Sequence, residues 1–193
     1  MPGTNLINIA IFASGAGSNA KKIIDYFKKS EVIKIALIVC NNSSAGVLHI
    51  AAKENIPLLL IEKERFRSAG YISELKKWKI DFIVLAGFLW KIPPVLIKAY
   101  PNKIINIHPA LLPAYGGKGM YGNAVHAAVI ESKDKESGIT IHYVDEIYDH
   151  GKIIFQATCA VDENESIDTL ANKIHKLEHT FYAPQIEKLL AKI

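Results

Sequence analysis

Arginine is nearly absent from this chain: Arg65 and Arg67 are its two examples, and the lysines are scattered. That leaves no arginine cluster of the kind that grips nucleic acid. The net charge of +4, from 23 basic and 19 acidic residues, is too mild to argue for one. A weak positive field is at most suited to small anionic substrates. Cysteine is also scarce. Cys40 and Cys159 each sit in an apolar, strand-like run, so both are expected to be small core residues. There is no CxxC pair and no disulfide framework. No apolar run approaches the roughly 20 residues of a membrane span. Met1-Pro2-Gly3-Thr4-Asn5 lacks the basic segment and apolar core of an export signal. Repeats and low-complexity segments are missing. The expectation is a reducing, cytoplasmic setting with neither nucleic acid nor membrane as partner.

What is present is an ordinary globular balance, with 193 residues, 50% hydrophobic and 22% charged. That suits one continuous domain with a real core. Leu6 to Ala13, Val32 to Cys40, Pro57 to Ile61, Phe82 to Ala86 and Lys103 to His108 read as strands. Helical periodicity covers Ala20 to Lys29, Ala45 to Glu54 and Ser68 to Lys79, and Pro93-Pro94 opens a short helix. This alternation predicts an α/β fold, Rossmann-like, with a mostly parallel sheet and helices on both faces. The pattern then changes. Asn123 to Glu131 is helical, while Ile139 to Asp145 and Lys152 to Val161 form a hairpin, an antiparallel extension. Ser166 caps a long final helix reaching about Leu190. Residues 1–193 make a single domain, with halves meeting near residue 100.

Two strand ends carry chemistry. Gly15-Ala16-Gly17-Ser18-Asn19-Ala20 matches G-x-G-x-x-A between the first strand and first helix. The same geometry makes a simple phosphate site at a helix N-terminus. The second strand ends Val39-Cys40-Asn41-Asn42, without the acidic residue that takes the ribose of a dinucleotide. Ser18 and Asn19 add donors suited to a terminal phosphate. At the other strand end stands Asn106-Ile107-His108-Pro109. Residues two apart share a strand face, so Asn106 and His108 should project together. An amide donor beside an imidazole is what an anionic tetrahedral intermediate needs.

Further on, Asp145, Glu146 and Asp149 lie in and around the hairpin turn. Any one of them could serve His108, and spacing does not choose among them. His175-Lys176-Leu177-Glu178-His179 matches H-x-x-E-H, the inverted zinc-hydrolase signature. A zinc site needs a third ligand and an open position, and so short a match arises easily by chance, so no metal is expected. Ile167, Leu170, Ile174, Leu177 and Phe181 make the apolar stripe of the last helix, which puts Glu178 at its edge.

Four elements in order then carry a resemblance: Ser14-Gly15-x-Gly17-Ser18-Asn19, Leu85-Ala86-Gly87-Phe88, Asn106-Ile107-His108-Pro109-x-Leu111-Leu112-Pro113, and Gly138-Ile139-Thr140-Ile141-His142 through Asp149-x-Gly151. Together they resemble the folate-dependent formyltransferase family over nearly the whole chain, and the G-S-N loop narrows this to its phosphoribosylglycinamide formyltransferase branch. The resemblance implies an enzyme of purine biosynthesis and one-carbon metabolism. It would transfer the formyl group of 10-formyltetrahydrofolate, a co-substrate, to the amine of glycinamide ribonucleotide, without metal or covalent intermediate. A formyltetrahydrofolate hydrolase, or another formyltransferase of the family, is the alternative. Asn106, His108 and Asp149 would be catalytic, which favours Asp149 over its acidic neighbours. Gly17, Ser18, Asn19 and Glu178 would bind the ribonucleotide. Leu89, Trp90, Lys91, Ile92, Asn106, Val144 and Asp145 would line the folate. Leu112-Pro113 would be cis, and the protein a monomer or homodimer. The chain departs from the family pattern at Ala110, at Trp90-Lys91, in the long glycine-rich stretch Tyr115 to Gly122, and at His150, which replaces a glycine.

Overall fold

The computed structural model describes residues 6–192, so Met1–Asn5, read above for an export signal, lies outside it. Seven strands form a mixed sheet in the order β3-β2-β1-β4-β5-β6-β7. The backbone divides into two compact units, one ending at Ile105 and the next starting at Asn106.

In the first unit, β1 (Ile7–Ala13) is flanked on both sides, parallel to β2 (Ile33–Cys40) and to β4 (Phe82–Leu85). Its last five residues are buried, the run of apolar side chains that a strand covered on both faces requires. β3 (Leu58–Leu60) pairs with β2 and leaves Leu58 and Leu60 exposed, as an edge strand does. Helix α1 (Ser18–Phe27) buries Ala20, Ile23, Ile24 and Phe27. That 3-4 spacing is a single apolar face. α2 (Val47–Lys53) buries Val47 and Ala51. α5 (Pro94–Ala99) starts on proline at its first turn, where the missing N–H has no intrahelical partner anyway.

The region expected as one helix from Ser68 to Lys79 differs. It holds only the shorter α4 (Ile72–Lys77), and α3 (Lys63–Arg67), which the sequence reading missed, precedes it. Ser68 is extended, at φ −90 and ψ −174, and ends α3. Side-chain chemistry explains the break: Arg65 donates to the Gly70 carbonyl at 3.0 Å, pairs with Glu74, and stacks 4.2 Å over the Tyr71 ring. Phe66 of α3 is buried among Phe12, Phe88 and Trp90.

In the second unit, β6 (Glu136–Tyr143) runs antiparallel to β7 (Ile153–Ala160), with Thr140 opposite Gln156. The two strands approach so closely that a Cβ on Gly138 would fall 2.0 Å from the Ala157 carbonyl oxygen. α6 (Asn123–Glu131) and α7 (Ile167–Leu190) pack on each other, and α7 also covers both strands. Ser166 caps α7 reciprocally. Its hydroxyl accepts from Thr169 N at 3.1 Å, and the Thr169 hydroxyl accepts from Ser166 N at 3.0 Å. Such a cap is worth about 1 kcal/mol.

Two sequence expectations are corrected here. Cys159 is half-buried, because β7 is an edge strand, whereas Cys40 is buried as expected. The buried line of α7 is Leu170, Ile174, Glu178, Tyr182, Ile186 and Leu190. Ile167 is exposed, and Leu177 and Phe181 are half-buried on its flank. Glu178 therefore sits within the buried line, not at its edge.

Candidate functional site

β5 (Ile104–His108) delivers Asn106 and His108 to one cluster, completed by a strand partner and by the hairpin turn. Asn106 Nδ2 donates to His142 Nε2 at 3.2 Å. His142 Nδ1 lies 2.8 Å from the Tyr143 carbonyl oxygen. A carbonyl only accepts, so the hydrogen is on Nδ1 and Nε2 is free to receive the Asn106 amide. Asp149 stands between the two histidines, with Oδ2 3.7 Å from His108 Nδ1 and Oδ1 3.6 Å from His142 Nε2. These distances are longer than hydrogen bonds, as catalytic contacts often are before substrate tightens them. Of the three acidic candidates, the fold brings Asp149 to His108. Asp145 instead pairs with His150 at 2.9 Å, and Glu146 is exposed. His142 is the member that sequence reasoning missed.

Burial sets the charges. His108 and His142 are 3% and 2% exposed. Desolvation pushes the His108 pKa down. The Asp149 carboxylate and the Tyr115 carbonyl oppose this, His142 reinforces it, and the net is below an ordinary histidine. Burial pushes the Asp149 carboxyl up, but the two histidines beside it and the Gly117 N–H that it accepts outweigh this. The net lies below the usual carboxylate range. At neutral pH the pair is then an ionised Asp149 beside a neutral His108.

The glycine-rich segment after β5 touches both groups. His108 Nε2 lies 2.8 Å from the Tyr115 carbonyl oxygen, so Nε2 carries the ring hydrogen. Gly117 N–H donates to Asp149 Oδ2 at 2.9 Å. The Leu112-Pro113 bond is cis. Against the residues that lead into it, buried Thr140 of β6 saturates its hydroxyl: it donates to Ala110 O at 2.7 Å and accepts from Leu112 N and Gln156 Nε2, each at 2.9 Å. Gln156 also donates to Leu112 O at 3.0 Å. Thr140 and Gln156 thereby pin residues 110–112, a role the sequence did not reveal.

In the first unit, Ser14-Gly15-Ala16-Gly17 leaves the end of β1 and turns into α1. Gly17 is the N-cap, at φ 80 and ψ 24, with no side-chain capping bond. A Cβ there would lie 2.8 Å from Val47 Cβ, so only glycine satisfies both the backbone and the contact with α2. Val47 N donates to Gly15 O at 3.2 Å and fixes the loop. The uncapped first turn of α1 presents N–H groups with the positive end of the helix dipole, an anion-binding arrangement. Ser18 is exposed there and Asn19 half-buried. The nearby Ser14 hydroxyl accepts from Leu89 N at 2.9 Å. Along the segment expected to line a folate, Leu89 and Lys91 are exposed, Trp90 is half-buried and Ile92 is buried; in the second unit Val144 and Asp145 are half-buried.

A family model for formyl transferases matches residues 7–186. The chain belongs to the formyl transferase family. Among its relatives, a chloroplastic phosphoribosylglycinamide formyltransferase of Vigna unguiculata is 41% identical over 187 residues, covering 94% of this chain and 60% of that protein. The corresponding Arabidopsis thaliana protein is 62% covered, so the chain spans about three-fifths of these plant relatives. The phosphoribosylglycinamide formyltransferase of Bacillus subtilis is 39% identical over 187 residues, covering 94% of this chain and 93% of that one. Glycinamide ribonucleotide transformylase 1 of Geobacillus kaustophilus superposes with a TM-score of 0.88 at 36% identity, covering 96% of this chain and all of the other.

Two buried groups of this formyl transferase family member lie outside the four-residue cluster. Glu178 is 6% exposed, and the neighbouring Tyr182 hydroxyl is driven well above its ordinary pKa, first by its own burial and then by the charge of Glu178. His126 of α6 is 3% exposed and its Nδ1 has no hydrogen-bond partner. Desolvation, then His175 and His108, push its pKa down. The rings of His175 and His179 stack 6.2 Å apart on α7, and no group of three metal-ligating side chains occurs among the described residues. A histidine whose folded pKa lies below its unfolded one binds its proton more readily in the unfolded chain. Acid therefore favours unfolding from about pH 6.5 downward. His108 and His126 together should give stability a slope of up to about 2.7 kcal/mol per pH unit in the steepest region. His126→Leu should halve that slope, read from urea midpoints between pH 7 and 5. An unchanged slope would mean His126 is not the titrating group.

Proposed function

We propose that the chain is a phosphoribosylglycinamide formyltransferase, passing the formyl group of 10-formyltetrahydrofolate to the amine of glycinamide ribonucleotide. The observation that carries the reading is the Asn106–His142–Asp149–His108 cluster at the end of β5. The relatives' names supply the substrates.

The amine attacks the formyl carbon, and negative charge develops on the formyl oxygen. Asn106 spends one amide hydrogen on His142 and offers the second to that oxygen. Neutral His108 keeps its hydrogen on Nε2, against Tyr115, and presents the Nδ1 lone pair toward Asp149. His108 therefore first receives the amine's proton at Nδ1, with Asp149 stabilising the imidazolium. It then donates from Nδ1 to the departing folate nitrogen. One proton leaves the amine and one arrives at that nitrogen, so the transfer balances without a metal. The N-terminus of α1, with Ser18 and Asn19, binds the ribonucleotide phosphate. Glu178 attracts the glycinamide amine. Leu89 to Ile92, with Val144 and Asp145, line the folate. Cys40 and Cys159 are unpaired and take no part, which suits a reducing, cytoplasmic setting.

Ser18→Ala combined with Asn19→Ala should raise KM for the ribonucleotide about tenfold and leave kcat within twofold. That corresponds to two lost hydrogen bonds of about 0.7 kcal/mol each. An unchanged KM would place the phosphate elsewhere. The reading itself is tested by mixing protein, 10-formyltetrahydrofolate and glycinamide ribonucleotide. Folate release should require the ribonucleotide. Release with formate and without ribonucleotide would make the protein a hydrolase.

A further inference from the structure

Tyr115 enters the proton transfers above through its carbonyl alone, yet the whole residue holds an unusual position. It is a non-glycine residue at φ 57, in the left-handed region, which costs an L residue about 1 kcal/mol. Its carbonyl faces His108 Nε2 at 2.8 Å. Its hydroxyl donates to Asp134 Oδ2 at 2.6 Å, a short bond to a charged acceptor. Asp134 follows α6 and precedes β6, so it is set by two regular elements. Two residues beyond Tyr115, Gly117 N–H holds Asp149. Between them, a Cβ on Gly116 would meet Leu112 Cδ2 at 2.6 Å and Asp149 Cβ at 3.2 Å. Residues 115–117 thus reach both members of the proton-transfer pair, and the Tyr115 hydroxyl ties that segment to the fold.

We infer that Tyr115 is a positioning residue that fixes the ring hydrogen of His108 on Nε2, and that Asp134 anchors Tyr115 for this purpose. The consequence is chemical. With Nε2–H locked onto a backbone carbonyl, Nδ1 is the one ring nitrogen able to take a proton, and it faces Asp149. Released from Tyr115, the ring could carry its hydrogen on Nδ1, where it would donate to Asp149 and could not receive the amine's proton. The catalytic role rests on the formyl-transfer reading; the tautomer does not.

The test uses the full chain and Tyr115→Phe, Asp134→Ala, Asp134→Asn and the double variant Tyr115→Phe/Asp134→Ala. In wild type, the His108 ring nitrogens should show the Nε2–H shift pattern by NMR. In Tyr115→Phe and Asp134→Ala that pattern should become a tautomer mixture, and the Gly117 amide resonance should move. The His108 titration midpoint should fall, since the Tyr115 carbonyl supports the charged ring. Asp149, His142 and His126, the other titratable groups around it, are unchanged. Both single variants should lose about tenfold in kcat, with KM values within twofold. The double variant should be no worse than either, and Asp134→Asn, which keeps an acceptor, should recover most of the loss. Unchanged His108 shifts in Tyr115→Phe would overturn the inference, as would additive kcat losses in the double variant. A wild-type protein without ribonucleotide-dependent turnover would refute the functional reading instead, and the ring shifts would still decide the role of Tyr115.

Discussion

Asp149→Asn should lower kcat by about two to four orders of magnitude, the range for losing a positioned acid–base group. Asparagine keeps the size of the side chain and an acceptor for Gly117 N–H, now 2.9 Å away. The turn should therefore hold, and Asp149 itself tolerates φ 54 in a conformation that asparagine adopts readily. What disappears is the charge that stabilises a protonated His108. Asp149 faces both His108 and His142, so neither has another carboxylate to turn to in this cluster. KM values should change little. Circular dichroism and the melting temperature separate this outcome from misfolding. Turnover within a few-fold of wild type would remove Asp149 from the chemistry.

His108→Ala should cost about as much, because it removes the group that both receives and returns the proton. Its pH behaviour is the sharper reading. His108 is held below the ordinary histidine pKa, first by burial. The neutral ring is the competent form, so activity should be retained as pH falls to about 6.5 and lost below it. Asp149 is depressed below the ordinary carboxylate range and stays ionised throughout that window. The acid limb of wild-type kcat should therefore lie below pH 6.5 and carry a single proton. A kcat that instead rises as pH falls through this range and is lost on the alkaline side would mean that His108 reacts as the imidazolium. Asn106→Ala removes one oxyanion donor and should raise the barrier by about 3–4 kcal/mol.

Much of this site was written locally and could be read. Asn106 and His108 alternate on one strand, and Gly15 to Ala20 joins a strand to a helix, so periodicity and glycine alone locate both. Spacing did not single out Asp149; the resemblance did. Three acidic residues share one turn, and only the antiparallel return of β7 decides which one meets His108. His142 was missed although a signal exists: residues 137–142 of β6 are all buried. A strand covered on both faces that nonetheless carries Thr140 and His142, two apart, must give both polar partners on one side. Glu178 was misplaced for the opposite reason. The buried line of α7 recurs every fourth residue from Leu170 to Leu190, and a carboxylate at its third position breaks the apolar phase. Leu177 and Phe181 then pulled the stripe one step aside. Tyr115 was invisible, because its importance lies in a carbonyl and a left-handed φ that no side-chain pattern encodes. α3 was hidden for a similar reason, since Arg65 ends it through contacts with Gly70, Tyr71 and Glu74 further along.

The central claim is that this cluster carries a formyl group to an amine. The most direct measurement follows the carbon itself: 10-formyltetrahydrofolate labelled with ¹³C in the formyl group, observed by NMR with and without glycinamide ribonucleotide. The predicted result is a formamide carbon on the ribonucleotide, formed by wild type at a rate that Asp149→Asn and His108→Ala each reduce at least a hundredfold. Label appearing as free formate, at the same rate with or without the ribonucleotide, would contradict it.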